Sequence, residues 1–258
     1  FNELLNDLRE REEKARAMGG PDKLARRAAQ GLLDARSRID AFIDADSCVE
    51  TGLLAVSSIV PEDRDRTPAD GKVAGFAKVE GRMVSIVSND FTTKGASSSA
   101  TNMKKIGHVK RVATERGFPL IFFGESSGAR MPDNMGAKGM GANLGHDPQQ
   151  YVRTRQTPWA TAVLGQCYGS SAWYTCLADF AVMRKGAIMA VASPGLASHA
   201  IGQNVEAEDL GGWKLHSQVS GLVDRVVETD EEAVEEIKRF LGYMPSHCNE
   251  APPRAPVP

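Results

Sequence analysis

The spacing of apolar positions along the chain changes several times, and each change marks an element. The opening run FNELLNDLREREEKARAM is charged and helix-forming and closes at Gly19-Gly20, with Pro21 suited to a first helical turn. A second helix is predicted from Lys23 to about Leu33 and a third from Ser37 to Phe42. Apolar positions in this stretch are too sparse for a core of its own, so residues 1–45 are expected to form a helical arm outside the main body. Past the polar, proline-containing loop 61–71, the runs Val73–Val79 and Met83–Asn89 flank Glu80-Gly81, a hairpin signature. The small-residue loop Phe91–Ser99 then leads into a helix with Met103, Ile106, Val109 and Val112 on one side. Pro119–Phe123, Trp159–Leu164, Asp179–Met183 and Ala187–Ala192 read as buried strands. Between them, Met131–Pro148 is a glycine-rich excursion carrying Gly136, Gly139, Gly141 and Gly145. Thr229–Glu232 reads as a capping box for a helix ending near Gly242, and 249–258 as a proline-rich linker. The alternation of strand, loop and helix over 46–248 argues an α/β layer architecture.

Composition narrows the classes of function. At 258 residues the chain can hold one large domain or two small ones. Lys+Arg 31 against Asp+Glu 33 leaves a formal charge of -2, without the basic footprint of a nucleic-acid binder. No apolar run reaches the ~18 residues that span a bilayer, and Phe1-Asn2-Glu3 opens no leader pattern, so neither membrane nor nucleic acid is expected as a partner and the default compartment is the cytoplasm. Cys48, Cys167, Cys176 and Cys248 form no CxxC pair and no disulfide framework. His108, His146, His199, His216 and His247 lack metal spacing, so no metal is expected.

Two glycine-bearing turns carry the candidate chemistry. Leu120–Phe123 runs into Gly124-Glu125-Ser126-Ser127-Gly128-Ala129-Arg130, and Ala162–Leu164 runs into Gly165-Gln166-Cys167-Tyr168-Gly169-Ser170-Ser171. Each is expected to open into a helix, with backbone N–H groups free to bind developing negative charge. Two such turns facing each other make an oxyanion hole, and without Ser-His-Asp or Cys-His logic nearby that points to enolate chemistry. Taken singly, each glycine fits tight strand-to-helix packing equally well.

The chain resembles the N-terminal carboxyltransferase domain of biotin-dependent acyl-CoA carboxylase β subunits, propionyl-CoA carboxylase β-like proteins of the crotonase superfamily. The resemblance runs from Ala15–Gly20 to the final prolines. It is carried by Ser126-Ser127-Gly128-Ala129-Arg130, similar to S-G-G-A-R, and by Gly165–Ser170, similar to G-P-C-A-G-G. Asn89–Thr92, Lys105-Ile106, Asp179-Phe180, Leu210–Gly212, His216 and Ser220-Gly221 support it. It implies a crotonase (ClpP-like) fold of stacked ββα units with an N-terminal helical arm, and transfer of CO2 from carboxybiotin to the α carbon of an acyl-CoA through an enolate. The implied cofactor is biotin, as carboxybiotin on a carrier protein, and the implied substrate is a coenzyme A thioester. Implied partners are a biotin carboxylase, a biotin carboxyl carrier subunit and a C-terminal carboxyltransferase domain or subunit, in a homo- or hetero-oligomer. By resemblance, the N–H groups of Gly169 and Ser170 hold the thioester oxygen, and Gly128 and Ala129 shape the facing wall. Ser127, Arg130, Tyr168, Gly95, Ala96 and Lys105 would bind substrate. Ser127 and Ser170 depart from glycine and Tyr168 from a small residue, changes that preserve the donors only where φ is negative and that reshape the acyl pocket.

Other roles stand beside these. Arg130 fits a substrate phosphate or carboxylate, but an arginine after a turn more often ties its helix to a neighbouring loop. Glu125 could act as acid or base, although it shows no evident partner carboxylate. Cys167 reads better as a small buried residue than as a nucleophile, and His216 better as a hydrogen-bonded core histidine than as a ligand. Lys94, Lys104 and Lys105 suit CoA phosphates or simply a solvated helix face. The rival functions are a biotin-independent acyl-CoA decarboxylase, hydrolase or hydratase with Glu125 moving a proton, and a non-catalytic CoA-binding or assembly subunit.

Overall fold

A computed structural model describes residues 1–134 and 156–254, the side chain of Asn134 excepted. Positions 135–148 of the expected glycine-rich excursion and the last four linker residues lie outside the described residues.

The hairpin forms where the local signals put it. β2 (Lys72–Val79) and β3 (Arg82–Asn89) pair antiparallel from Val79↔Arg82 to Lys72↔Asn89. Both turn residues, Glu80 (φ 52°) and Gly81 (φ 77°), take the left-handed backbone that matches strand twist in a two-residue turn. β1 (Val49–Glu50) adds to the outer edge of β2. From β3 onward the pairing is parallel, through β4 (Leu120–Ser126), β5 (Trp159–Tyr168), β6 (Phe180–Arg184) and β8 (Arg225–Val227), with β7 (Ile188–Ala190) set against the far end of β5. This is a mixed α/β fold with a continuous apolar layer on each sheet face.

One face packs under α4 (Ala100–Arg116) and α6 (Ser170–Cys176), where Ile106, Val109, Leu120, Phe122, Trp159 and Tyr174 are buried together. Ser99 caps α4 in a full capping box with Asn102, and Gly117 (φ 70°) ends it in a left-handed turn. Met131–Asn134, a single helical turn labelled α5, lies just before the undescribed segment. The other face packs under α9 (Asp230–Tyr243) and α3 (Ala35–Phe42), with Ile39, Phe42, Phe123, Leu164, Val234, Ile237 and Leu241 in one cluster. Thr229 caps α9 by accepting the Glu232 N–H, while the Glu232 carboxylate accepts from Glu228 N–H instead of returning to Thr229 as a capping box would.

Only part of the expected arm stays outside. α1 (Asn2–Arg16) is exposed apart from the buried Ala15 and the half-buried Glu12, and α2 (Pro21–Ala28) buries little besides Arg27. α3 departs from the expectation, since Ala35, Ile39 and Phe42 lie one helical turn apart and complete the core against Phe123, whose ring meets Phe42 edge-on at 5.6 Å. α7 (Pro194–Ile201) and α8 (Ala207–Gly211) follow β7. No helix among the described residues is long and apolar enough to cross a membrane.

Candidate active site

Both glycine turns begin later than the sequence suggested. β4 continues through Glu125 and Ser126, and β5 through Gln166–Tyr168, because those last residues pair with β7, a partner remote in sequence. Gly165 is therefore a strand residue, and its missing side chain has a steric reason: a Cβ there would collide with the Glu125 carboxylate. The β4–β5 register shifts between Gly124 and Ser126, a bulge that turns Glu125 toward the α3 side.

Because β4 and β5 are parallel neighbours, their turns emerge side by side at the C-terminal ends of the strands. A Cβ on Gly169 would sit 3.6 Å from the Gly128 Cα, and one on Gly128 would sit 3.9 Å from the Tyr168 Cβ. The strained backbone falls on the glycines, Gly128 at φ 99° and Gly169 at φ 64°, whereas Ser127 and Ser170 stay at negative φ. Serine at those two positions is thus compatible with an unaltered main chain. Between the turns, Ser98 Oγ and Ser170 Oγ lie 2.8 Å apart.

The amides sort into spent and free. Gly169 N–H donates to Ala190 O (3.3 Å) and Val191 O (3.2 Å), Ser127 N–H to Gly95 O (2.8 Å), and Gly128 N–H to Ser126 Oγ (3.1 Å). Among the described residues, the N–H groups of Ala129 and Ser170 have no protein acceptor. Of the four expected oxyanion residues, Gly169 and Gly128 therefore spend their N–H groups within the protein, and those of Ala129 and Ser170 have no acceptor among the described residues.

The expected substrate contacts divide as well. Gly95 (φ 59°) faces Ser127, and a Cβ on it would collide with the Ser127 Oγ at 2.8 Å. Ala96 is fully buried beneath it. Arg130 is buried and donates to Asp70 (2.5 Å), Ser97 Oγ (3.2 Å) and Ser97 O (3.3 Å), so it ties the turn to the small-residue loop. Lys105 points inward, its Nζ donating to Lys72 O (2.5 Å), Gly52 O (3.0 Å) and Ala69 O (3.3 Å), and burial pushes its amine down to about 8. Tyr168, 6 % exposed, packs beside Gly128 and its phenol is pushed up by burial.

The cations that do face outward are elsewhere. A groove of about 500 Å³ runs from Gly95 and Phe91 along the arm, lined by Lys14, Lys23, Arg66 and Lys94. Lys94 and Lys14 are paired with Asp63 (2.7 Å) and Asp65 (2.6 Å), and Lys23 donates to Thr92 O (2.8 Å). Arg66 has no ion-pair partner among the described residues. Sequence reading named only Lys94 of this set, since the others come from the arm and the 61–71 loop, which the fold alone brings to the turn.

Glu125 does have partners. One carboxylate oxygen accepts from Arg27 (2.5 Å) and Arg38 (2.6 Å), and Arg38 continues to Asp230 (2.8 Å), which Arg184 also approaches (3.1 Å). The legible signal was Arg38 itself, an arginine on the same helical face as Ala35, Ile39 and Phe42. Cys167 is buried and its thiol is pushed up to about 12 by desolvation. His216 is a buried hydrogen-bonded residue, Nε2 to Met189 O (2.8 Å) and Nδ1 to Ser220 Oγ (3.1 Å).

The profile of the carboxyl transferase domain matches residues 26–258. The chain is 31% identical over 260 residues to the propionyl-CoA carboxylase beta chain of Roseobacter denitrificans, covering 99% of this chain and 50% of that protein. It is 29% identical to the methylmalonyl-CoA decarboxylase subunit alpha of Veillonella parvula, covering 97% and 50%. In structure it is similar to a transcarboxylase 12S solved with methylmalonyl-coenzyme A and methylmalonic acid bound, at TM-score 0.88 and 28% identity over 97% of this chain and 49% of that one. The chain spans about half the length of the curated relatives it matches.

Proposed function

We propose that this chain, which belongs to the carboxyl transferase domain family, is the acyl-CoA-binding half of a biotin-dependent acyl-CoA carboxyltransferase. The observation that carries the reading is the pair of unspent amides, Ala129 and Ser170, on two turns in contact at one end of a cationic groove. The groove suits the phosphates of a CoA thioester, with Lys23, Arg66 and Lys94 placed to meet them. The amides suit the thioester oxygen, whose negative charge grows as the α proton leaves, and donors fixed in advance stabilise that charge without reorganising. Biotin, when delivered by its carrier, supplies the carboxyl group. The biotin carboxylase, the carrier and the second half of the carboxyltransferase would come from other chains or domains, in a homo- or hetero-oligomer.

Glu125 argues against the hydratase and hydrolase alternatives. An acid or base must reach the reacting atoms, whereas this carboxylate is buried on the α3 side under two guanidinium groups. Its role in this reading is to anchor the bulge that leads into the Ser127–Ala129 turn. A second reading, decarboxylation of a carboxylated thioester, is favoured by the Veillonella relative and asks the same amides to stabilise the same enolate.

The test is reconstitution with the second half of the enzyme and carboxylated carrier. Conversion of propionyl-CoA to methylmalonyl-CoA, followed by mass spectrometry, is the expected outcome, with acyl-CoA binding but no turnover by this chain alone. Consumption of methylmalonyl-CoA without carboxylation of propionyl-CoA would select the decarboxylase reading. No binding of any acyl-CoA would remove both.

A further inference from the structure

Two left-handed arcs lie directly under the first turn. Ala69 (φ 48°), Asp70 (φ 47°) and Gly71 (φ 71°) form one, and Lys94 (φ 49°), Gly95 (φ 59°) and Ala96 (φ 49°) the other. Four of these six residues carry side chains that disfavour that backbone, so the arcs persist only because their surroundings hold them. They pack against each other, with a Cβ on Gly71 placed 3.1 Å from Thr93 O and 3.6 Å from the Ala96 Cα.

The second arc carries the oxyanion turn. Gly95 O accepts the Ser127 N–H (2.8 Å), and Ala96 O accepts from Ser126 Oγ (3.2 Å), which itself accepts the Gly128 N–H (3.1 Å). Ser98 N–H then donates to Gly128 O (2.8 Å). The direction of the Ala129 N–H is therefore set by where residues 94–98 sit.

Buried cations hold both arcs. Arg130 grips Asp70 and Lys105 grips Ala69 O on the first. On the second, Lys72 donates from Nζ to Ala96 O at 2.6 Å. Lys72 is 1 % exposed and Ala96 O is its one side-chain hydrogen-bond partner among the described residues. Desolvation pushes its amine down to about 7, with the charge of Arg130 acting in the same direction and that of Asp70 against it. A lysine in that position is disfavoured by burial, and an apolar residue would sit more easily in β2 beside Val73. What the lysine adds is the grip on Ala96 O.

We propose that Lys72 is a positioning residue for the oxyanion turn, holding the left-handed Lys94–Ala96 arc through Ala96 O and so aiming the Ala129 N–H. The proposal rests on the reading of Ala129 and Ser170 as oxyanion donors for its effect on rate, but not for its effect on the turn. Lys72→Met removes the donor at similar volume, and Lys72→Gln keeps a neutral N–H donor. In the assembled enzyme, Lys72→Met lowers kcat about tenfold or more with KM within about twofold, while the chain is as stable to urea as wild type or more so. Lys72→Gln recovers most of kcat. In the chain without substrate, the Ser127 amide exchanges its hydrogen about tenfold faster in Lys72→Met and close to wild type in Lys72→Gln.

Wild-type kcat and wild-type Ser127 exchange in Lys72→Met overturn the proposal, as does a loss of activity that only follows a matching loss of stability. Failure of Lys72→Gln to recover either quantity overturns the hydrogen-bond grip. If the wild-type assembly transfers no carboxyl group while Ser127 exchange responds as expected, the carboxyltransferase reading falls and the positioning role stands.

Discussion

In the proposed reading, Ser170 and Gly169 divide the work of one turn between a donor and a hinge. Ser170 keeps a negative φ, so its N–H is placed as a glycine's would be, and its hydroxyl adds the bond to Ser98. Gly169 takes φ 64° and ψ -124°, a backbone that side-chain-bearing residues rarely adopt. Gly169→Ala is expected to cost about 1–3 kcal/mol of stability and to lower kcat/KM as well, because the strain is relieved by moving the turn that carries the donor. Ser170→Gly is expected to cost only about 1 kcal/mol, through the lost hydroxyl bond and a freer unfolded chain, with kcat/KM retained. Urea unfolding and initial rates on the two variants check this, and equal losses of activity would remove the distinction between hinge and donor. The serines were read from sequence as a hazard to the site. The negative φ values that let serine fit there depend on the neighbouring glycines and are not written in the motif itself.

At the scale of elements, the bulge in β4 and helix α3 belong to one device. Arg27 and Arg38 converge on a single Glu125 oxygen, and Gly165 leaves the space in which that carboxylate sits. Glu125→Gln keeps the size and one acceptor oxygen but removes the charge that pairs with both guanidinium groups, and its amide NH2 group meets donors where the carboxylate accepted. Breaking a buried pair in this way is expected to cost about 3 kcal/mol, a fall in Tm of about 6–12 °C for a chain of this size. Calorimetry checks it, and a proton-transfer role would instead leave Tm in place while removing activity. The hairpin, the α4 cap and the amphipathic faces were legible because their causes lie within a few residues of each other. The ends of β4 and β5 were not, since β7 and Glu125 decide them across the fold. The same holds for α3, whose Ala35, Ile39 and Phe42 look sparse until Phe123 and α9 are seen to complete the layer.

Across the whole molecule, the site is assembled from the arm, the 61–71 loop, the hairpin exit and two strand ends. The two motif-bearing turns, Arg130, Lys94 and Lys105 are legible in the sequence, but Lys14, Lys23, Arg66 and Lys72 are not, nor is the inward direction of Lys105, because a lysine looks the same in sequence whether it faces solvent or a carbonyl. Lys72 and Lys105 are the clearest case, and they give the molecule a pH signature. Both amines are lowered in the folded chain, to about 7 and about 8, chiefly by desolvation. Below pH 7 both are protonated in the folded and unfolded chains alike, and the cost of burying charge is constant. Between those values and the ordinary lysine value near ~10.4 the unfolded chain holds protons that the folded chain has released, so stability rises with pH. Each lysine contributes at most about 1.4 kcal/mol per pH unit in that window. Urea unfolding at pH 7 and pH 9 is expected to show a gain on raising the pH, reduced in Lys72→Met, which has no amine to discharge. A Lys72→Met chain with the wild-type pH slope would mean that Lys72 titrates alike in both states, and the amine beneath the turn would then be hydrated instead of buried against Ala96 O.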